Sequence, residues 1–161
     1  MKCNHPAVCL VLAFLATLVL AGPTDAGEQV PFKGRLEGVV TVTPLTPPFM
    51  FVLVEGSGNA THLGRLTWVA MLVASPVEAA GTFQFTAANG DMLFADFTGH
   101  GTPTATPGVL DIEDHATITG GTGRFAGATG TFTFRHLYDI AAGFTFGSFD
   151  GTISSPGASK R

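Results

Sequence analysis

Cysteine, tyrosine, tryptophan and charge are all scarce in this 161-residue chain. The two cysteines, Cys3 and Cys9, both lie at the very start. Beyond them no disulfide can staple the fold, so stability must come from a packed core. Charged residues make up only 12% of the chain, and the net charge is −4. No Lys/Arg cluster exists, which removes the electrostatic footprint that nucleic-acid binding needs. With so few charges, Thr, Gly and Ser must carry much of the outer face. One Trp and one Tyr stand against 14 Phe, so nearly all aromatic surface sits on side chains with no polar handle, as an apolar interior requires. No stretch shows the 3.6-residue periodicity of an amphipathic helix. The histidines past the start, His62, His100, His115 and His136, fall in four separate segments with no HxH or HxxxH pair. No metal site can be read from such spacing, and no cofactor is expected.

What is present begins with a leader. Lys2 is followed by an apolar run from Ala7 to Ala21, and Thr24-Asp25-Ala26 offers small residues at −3 and −1 of a cleavage site. Residues 1–26 are expected to be a signal peptide cut near Ala26, leaving a single domain over 27–161 in a secreted, periplasmic or otherwise extracytoplasmic protein. The apolar run falls short of the ~20 residues a comfortable membrane helix needs, so no stable membrane span is expected after cleavage. Cys9 reads as a small apolar residue of the leader.

The remainder alternates with period two, is rich in Thr and Phe, and is interrupted by Gly or Pro at short intervals. Eight strands are expected, at 32–43, 49–59, 63–74, 78–88, 91–101, 109–119, 130–139 and 143–153. Asn89-Gly90 is a strong hairpin signal. Eight short antiparallel strands in one domain imply an all-β fold, an antiparallel barrel or a two-sheet sandwich. Closure into a barrel is favoured because it removes edges that so few charges could not protect.

The longest glycine-dense stretch, Gly120-Gly121-Thr122-Gly123-Arg124-Phe125-Ala126-Gly127, formally fits a dinucleotide fingerprint. That motif works only where it opens a helix, and here a strand pattern follows. The glycines instead suit a long turn, with Phe125 plugging one end of the fold and Arg124 placed to bond loop carbonyls. With its flanks, Ala116 to Gly130, this segment resembles the Gly-Gly-Thr-Gly-[Lys/Arg]-Phe…Gly segment of plant dirigent proteins and the wider group sharing the allene oxide cyclase barrel. Gly147-Ser148-Phe149-Asp150-Gly151-Thr152-Ile153 looks like the closing strand of bacterial secreted members of that group. The resemblance covers 81–153 and extends to the earlier strands by pattern. It implies an eight-stranded antiparallel barrel with an apolar cavity. It also implies an activity that steers cyclisation or coupling of apolar substrates by shape. No catalytic residue of those families transfers position by position.

Candidate chemistry comes from faces. A two-residue Asn89-Gly90 loop would pair Ala88 with Asp91, and hence Phe85 with Phe94 and Phe83 with Asp96. Phe83, Phe85, Met92 and Phe94 would then share a buried face that continues to Asp96, Thr98 and His100. Asp96 and His100 are candidate acid and base on that stripe; solvated positions at a strand end are the competing reading. Glu55 is a third candidate if the Phe49, Phe51, Leu53 face points inward, but Met50, Val52, Val54, Gly56 and Gly58 suit the interior equally well. Phe132, Phe134, His136 and Tyr138 share one face. The candidate ligand-binding residues are therefore Phe83, Phe85, Phe94, Phe132, Phe134 and Tyr138. Asn59-Ala60-Thr61 is a glycosylation sequon, meaningful only in a eukaryotic secretory host. No serine sits in a nucleophile-elbow context.

Three functions fit this reading. The first is a secreted barrel of unspecified function that binds a small apolar ligand. The second is a cofactor-independent cyclase or isomerase of the allene oxide cyclase or dirigent type. The third is a structural or envelope-associated scaffold. Small barrels are often filled by their own side chains, so the sequence leaves open whether this one is hollow, and it leaves the oligomeric state open too.

Overall fold

The structure is a computed structural model that describes residues 28–154; the expected leader lies outside them. Eight strands form a closed antiparallel barrel in which each strand pairs with its neighbours in sequence. They are β1 (Gln29–Pro44), β2 (Met50–Ala60), β3 (Gly64–Ala74), β4 (Ala79–Ala87), β5 (Met92–Pro103), β6 (Val109–Gly121), β7 (Gly130–Asp139) and β8 (Phe144–Ser154). The barrel closes where β8 runs beside β1, with Leu36 opposite Gly147 and Val39 opposite Phe144. Closure leaves no ladder unpaired, which suits a chain with few charges to guard an edge. Among the described residues no helix is long and apolar enough to cross a membrane.

Alternation sorts the side chains. On β1, Phe32 and Leu36 are buried while Lys33, Arg35 and Glu37 are not. On β2, Val54 is buried and Glu55 exposed, so the Met50, Val52, Val54 series forms the inner face. On β7, Phe132 and Phe134 are buried and His136 and Tyr138 continue their row.

One expectation fails by a single residue. The β4–β5 hairpin pairs Phe85 with Leu93 and Phe83 with Ala95, not with Phe94 and Asp96. The turn has three residues, not two. Gly90 N–H donates to Ala87 O (2.9 Å), Ala87 N–H donates to Asp91 O (2.9 Å), and Gly90 takes φ +85°. This is a type I turn completed by a left-handed glycine, the usual three-residue loop. Asn89 does not take the first position of a type I′ turn; its Oδ1 accepts from Asp91 N–H at 3.2 Å and its Nδ2 donates to Asp91 Oδ2 at 2.9 Å. A one-residue slip turns every side chain of a strand to the other face. Leu93, Ala95 and Phe97 are therefore buried, and Asp96 is exposed on the outer wall.

The glycine-dense turn joins β6 to β7 as expected, but it includes one turn of 3-10 helix, Gly123–Phe125. Phe125 is fully buried and plugs that end of the barrel. Among the described residues the Arg124 side chain bonds no loop carbonyl. Its Nε lies 3.6 Å from Asp91 Oδ2, and its guanidinium sits 4.9 Å from the centre of the Phe125 ring. The turn is thereby tied to the β4–β5 hairpin.

Candidate functional site

The barrel interior divides across its length. At the end that carries the glycine-dense turn it is solid. Phe32, Phe132 and Phe149 meet with ring centres 4.7–5.5 Å apart, Phe85 packs on Phe132 and Phe149, and Phe125, Leu93 and Ile153 close the gaps. A second layer of Trp68, Phe83, Phe97 and Phe134 lies above it. Phe83 stacks on Phe97 at 4.2 Å, and Trp68 meets Phe134 edge-on at 6.0 Å. Trp68 is held by its indole N–H, which donates to Glu37 O at 3.0 Å.

Beyond that layer the barrel is hollow. A cavity of about 560 Å³ extends to the opposite end, within the range typical of small-molecule sites. Trp68, Phe83, Phe97 and Phe134 form its floor, and Val40, Val52, Val54, Ala70, Leu72 and Ile112 its walls. Residues of the 75–78 and 140–143 connections reach its mouth, where Val77 and Ile140 are 71% and 52% exposed.

Away from the mouth, Asp114, His136 and Thr145 form a connected polar group in this apolar lining. Asp114 on β6, His136 on β7 and Thr145 on β8 lie on one diagonal across adjacent strands. Asp114 is opposite Phe134, two residues before His136; Thr145 is opposite Tyr138, two residues beyond it. Diagonal neighbours at this spacing are within reach of long side chains. His136 Nε2 is 3.1 Å from Asp114 Oδ2, and its Nδ1 is 2.6 Å from Thr145 Oγ1. The Thr145 hydroxyl donates to Leu137 O at 2.9 Å. The imidazole ring stacks on Phe134 at 4.3 Å. Asp114 is 5% exposed and Thr145 1%. The glycines around the group make room for it. A Cβ on Gly99 would overlap Asp114 Oδ1, and one on Gly147 would overlap the Cβ of His136.

Tyr138 stands on the same row nearer the mouth. Burial pushes its pKa above the ordinary tyrosine value, and the adjacent Asp139 carboxylate adds to the shift. Its hydroxyl is therefore neutral and able to donate throughout the physiological range.

The residues singled out from the sequence separate into groups. Phe83, Phe134 and Tyr138 border the cavity. Phe85 and Phe132 are buried in the solid end and do not reach it. Phe94 is half-buried on the outer alternation of β5, moved there by the one-residue difference in the hairpin. Asp96 and Glu55 are exposed on the outer wall and do not border this cavity. His100 is exposed but borders the mouth. Asp114 and Thr145 were not singled out. A sequence signal exists for Thr145, since period two from Phe149 leads to it, as period two from Phe132 and Phe134 leads to its partner His136. The link to Asp114 depends on the β6–β7 register. Among the described residues no group of His, Cys, Asp and Glu is arranged to hold a metal ion. No protein-family model matches the sequence, and no curated protein matches it significantly.

Proposed function

We propose that this protein is an exported β-barrel that holds a small apolar ligand in the hollow half of its interior. The observation that carries this reading is the cavity itself, about 560 Å³ of largely apolar space open at one barrel end. An empty apolar volume of that size forgoes the packing a solid core would gain, and a ligand restores it. The solid aromatic end supports the same reading, because it stabilises the barrel without help from the hollow one. Kinship with the allene oxide cyclase and dirigent barrels belongs to this proposal; its support is the closed eight-stranded meander and the glycine-dense turn at one end.

The test has two parts. Native mass spectrometry of protein isolated from its own host is expected to reveal a bound lipid or terpenoid-sized mass. Trp68, the sole tryptophan, lies in the cavity floor, so its fluorescence is expected to change on titration with apolar molecules. A clean polypeptide mass together with an unresponsive Trp68 would overturn the proposal.

A second reading is a cofactor-independent cyclase or isomerase. The Asp114–His136 pair favours it, since a carboxylate and an imidazole in a water-poor cavity are suited to moving protons. Incubating the recovered ligand with fresh protein separates the two. A chemically altered ligand supports catalysis, and an unaltered one supports carriage.

A further inference from the structure

The hydrogen-bonding pattern of the polar group specifies which apolar ligands the cavity prefers; this rests on the ligand-binding reading above. Thr145 has one hydroxyl hydrogen. Leu137 O, 2.9 Å away, can only accept, so that hydrogen is directed to it. The Thr145 oxygen is then an acceptor toward His136 Nδ1 at 2.6 Å, and Nδ1 must carry a hydrogen. On the other side of the ring Nε2 faces Asp114 Oδ2 at 3.1 Å. A bare Nε2 and a bare carboxylate oxygen would be two acceptors face to face. One proton must lie between them, whether drawn nearer nitrogen or oxygen.

Asp114 Oδ1 has no hydrogen on either arrangement, because the shared proton is held at Oδ2. It is an acceptor only. Asp114 is 5% exposed and borders the cavity, and Oδ1 has no hydrogen-bond partner among the described residues. It occupies the inner-wall space that a side chain at Gly99 would otherwise fill. Oδ1 is not sealed in the wall, since among the described residues Arg124 Nε is the one fully buried side-chain nitrogen or oxygen without a hydrogen-bond partner, and an unpaired acceptor bordering an apolar cavity gains from a donor that a ligand brings.

We infer that Asp114 Oδ1 is a donor-selective subsite, and that the preferred ligand is an apolar molecule carrying a hydroxyl that reaches the wall near the cavity floor. A hydroxyl donates to Oδ1. An ether, ester or epoxide oxygen presents another acceptor, and an alkane strips the oxygen of water without replacing the hydrogen bond. A carboxylate ligand brings only acceptor oxygens against Oδ1 and is disfavoured.

Matched probes test this on the full-length mature protein. Binding of n-decanol, n-decyl methyl ether and decanoate is measured by isothermal calorimetry and Trp68 fluorescence. The alcohol is expected to bind about tenfold or more tightly than the ether, the range of a hydrogen bond to a charged or charge-sharing group. Adding decanol, but not the ether, is expected to shift the carboxyl carbon resonance of Asp114. Asp114→Val is expected to abolish the preference while retaining ether binding. Should that variant not fold, the wild-type affinity ratio and the Asp114 resonance decide the matter alone. Equal affinities for alcohol and ether overturn the subsite and leave apolar binding standing. An alcohol preference with an unmoved Asp114 resonance also overturns it. Failure of all three probes to bind overturns both the subsite and the ligand-binding reading.

Discussion

The two halves of the barrel interior are built from the same eight strands, yet one is filled and the other is not. In the filled half inward positions carry Phe32, Phe85, Phe132 and Phe149, which interlock from four different strands. In the hollow half the corresponding rows carry Val40, Val52, Ala70, Leu72 and Ile112. Aliphatic side chains of that length do not meet across an eight-stranded barrel, whereas phenyl rings do. An interior of this width is just fillable by side chains, so residue size alone decides between plug and pocket. Rigidity and vacancy are thus separated along one axis, and the polar group sits at the boundary between them.

Substitutions should break this contrast in a graded way. Phe132→Ala in the filled half is expected to cost about 4 kcal/mol, through lost transfer energy and an enclosed void. Leu72→Ala in the hollow half is expected to cost about 1 kcal/mol, because its space already borders a cavity. Urea unfolding of the two variants gives the difference directly, and equal losses would mean that the hollow half is packed in solution. At the boundary, His136→Leu leaves Asp114 buried with no partner and is expected to cost about 3 kcal/mol. Gly99→Ala forces a methyl group against Asp114 Oδ1 and is expected to cost about 2 kcal/mol. It should also weaken decanol binding, measured in the same titrations, since the oxygen must move.

Smaller effects sharpen the picture. Tyr138 is the sole tyrosine, so its ionisation can be followed by near-ultraviolet absorbance. Its folded pKa is raised above 10.0. The folded state therefore favours the neutral phenol, and this contribution to stability is complete below pH 10. It is lost as pH rises from 10 through the folded value. An absorbance midpoint at or below 10 in the folded protein would contradict the half-buried position. Smallest of all, Asp96→Asn and Glu55→Gln on the outer wall are expected to change stability by less than about 0.5 kcal/mol and to leave ligand binding unaltered.

Much of this was legible from local pattern. The eight expected strands match the observed ones to within a few residues at each end, because alternation and Gly/Pro interruption are properties of each segment alone. Phe125 was read as an end plug from the turn around it. The Phe132, Phe134, His136 and Tyr138 row was legible for the same reason: one strand carries it. Residues that needed two strands were misplaced. Asp96 and Phe94 take the opposite face from the expected one because the Asn89-Gly90 hairpin has a three-residue loop, and a difference of one residue inverts a whole strand. Asp114 carries no signal of its own, because along its own strand it is one of two adjacent acids, Glu113 and Asp114. Only the diagonal between β6 and β7 joins it to His136.

The sequence by itself determined the class of fold and the apolar character of the interior, since both follow from which residues alternate and from how little charge there is to cover an edge. Whether each half is full or empty was decided in the tertiary structure, where closure sets one barrel width and the size of each inward side chain decides whether it spans that width. The meeting of Asp114, His136 and Thr145 was likewise decided by register, a relation between strands distant in the chain that no single segment encodes.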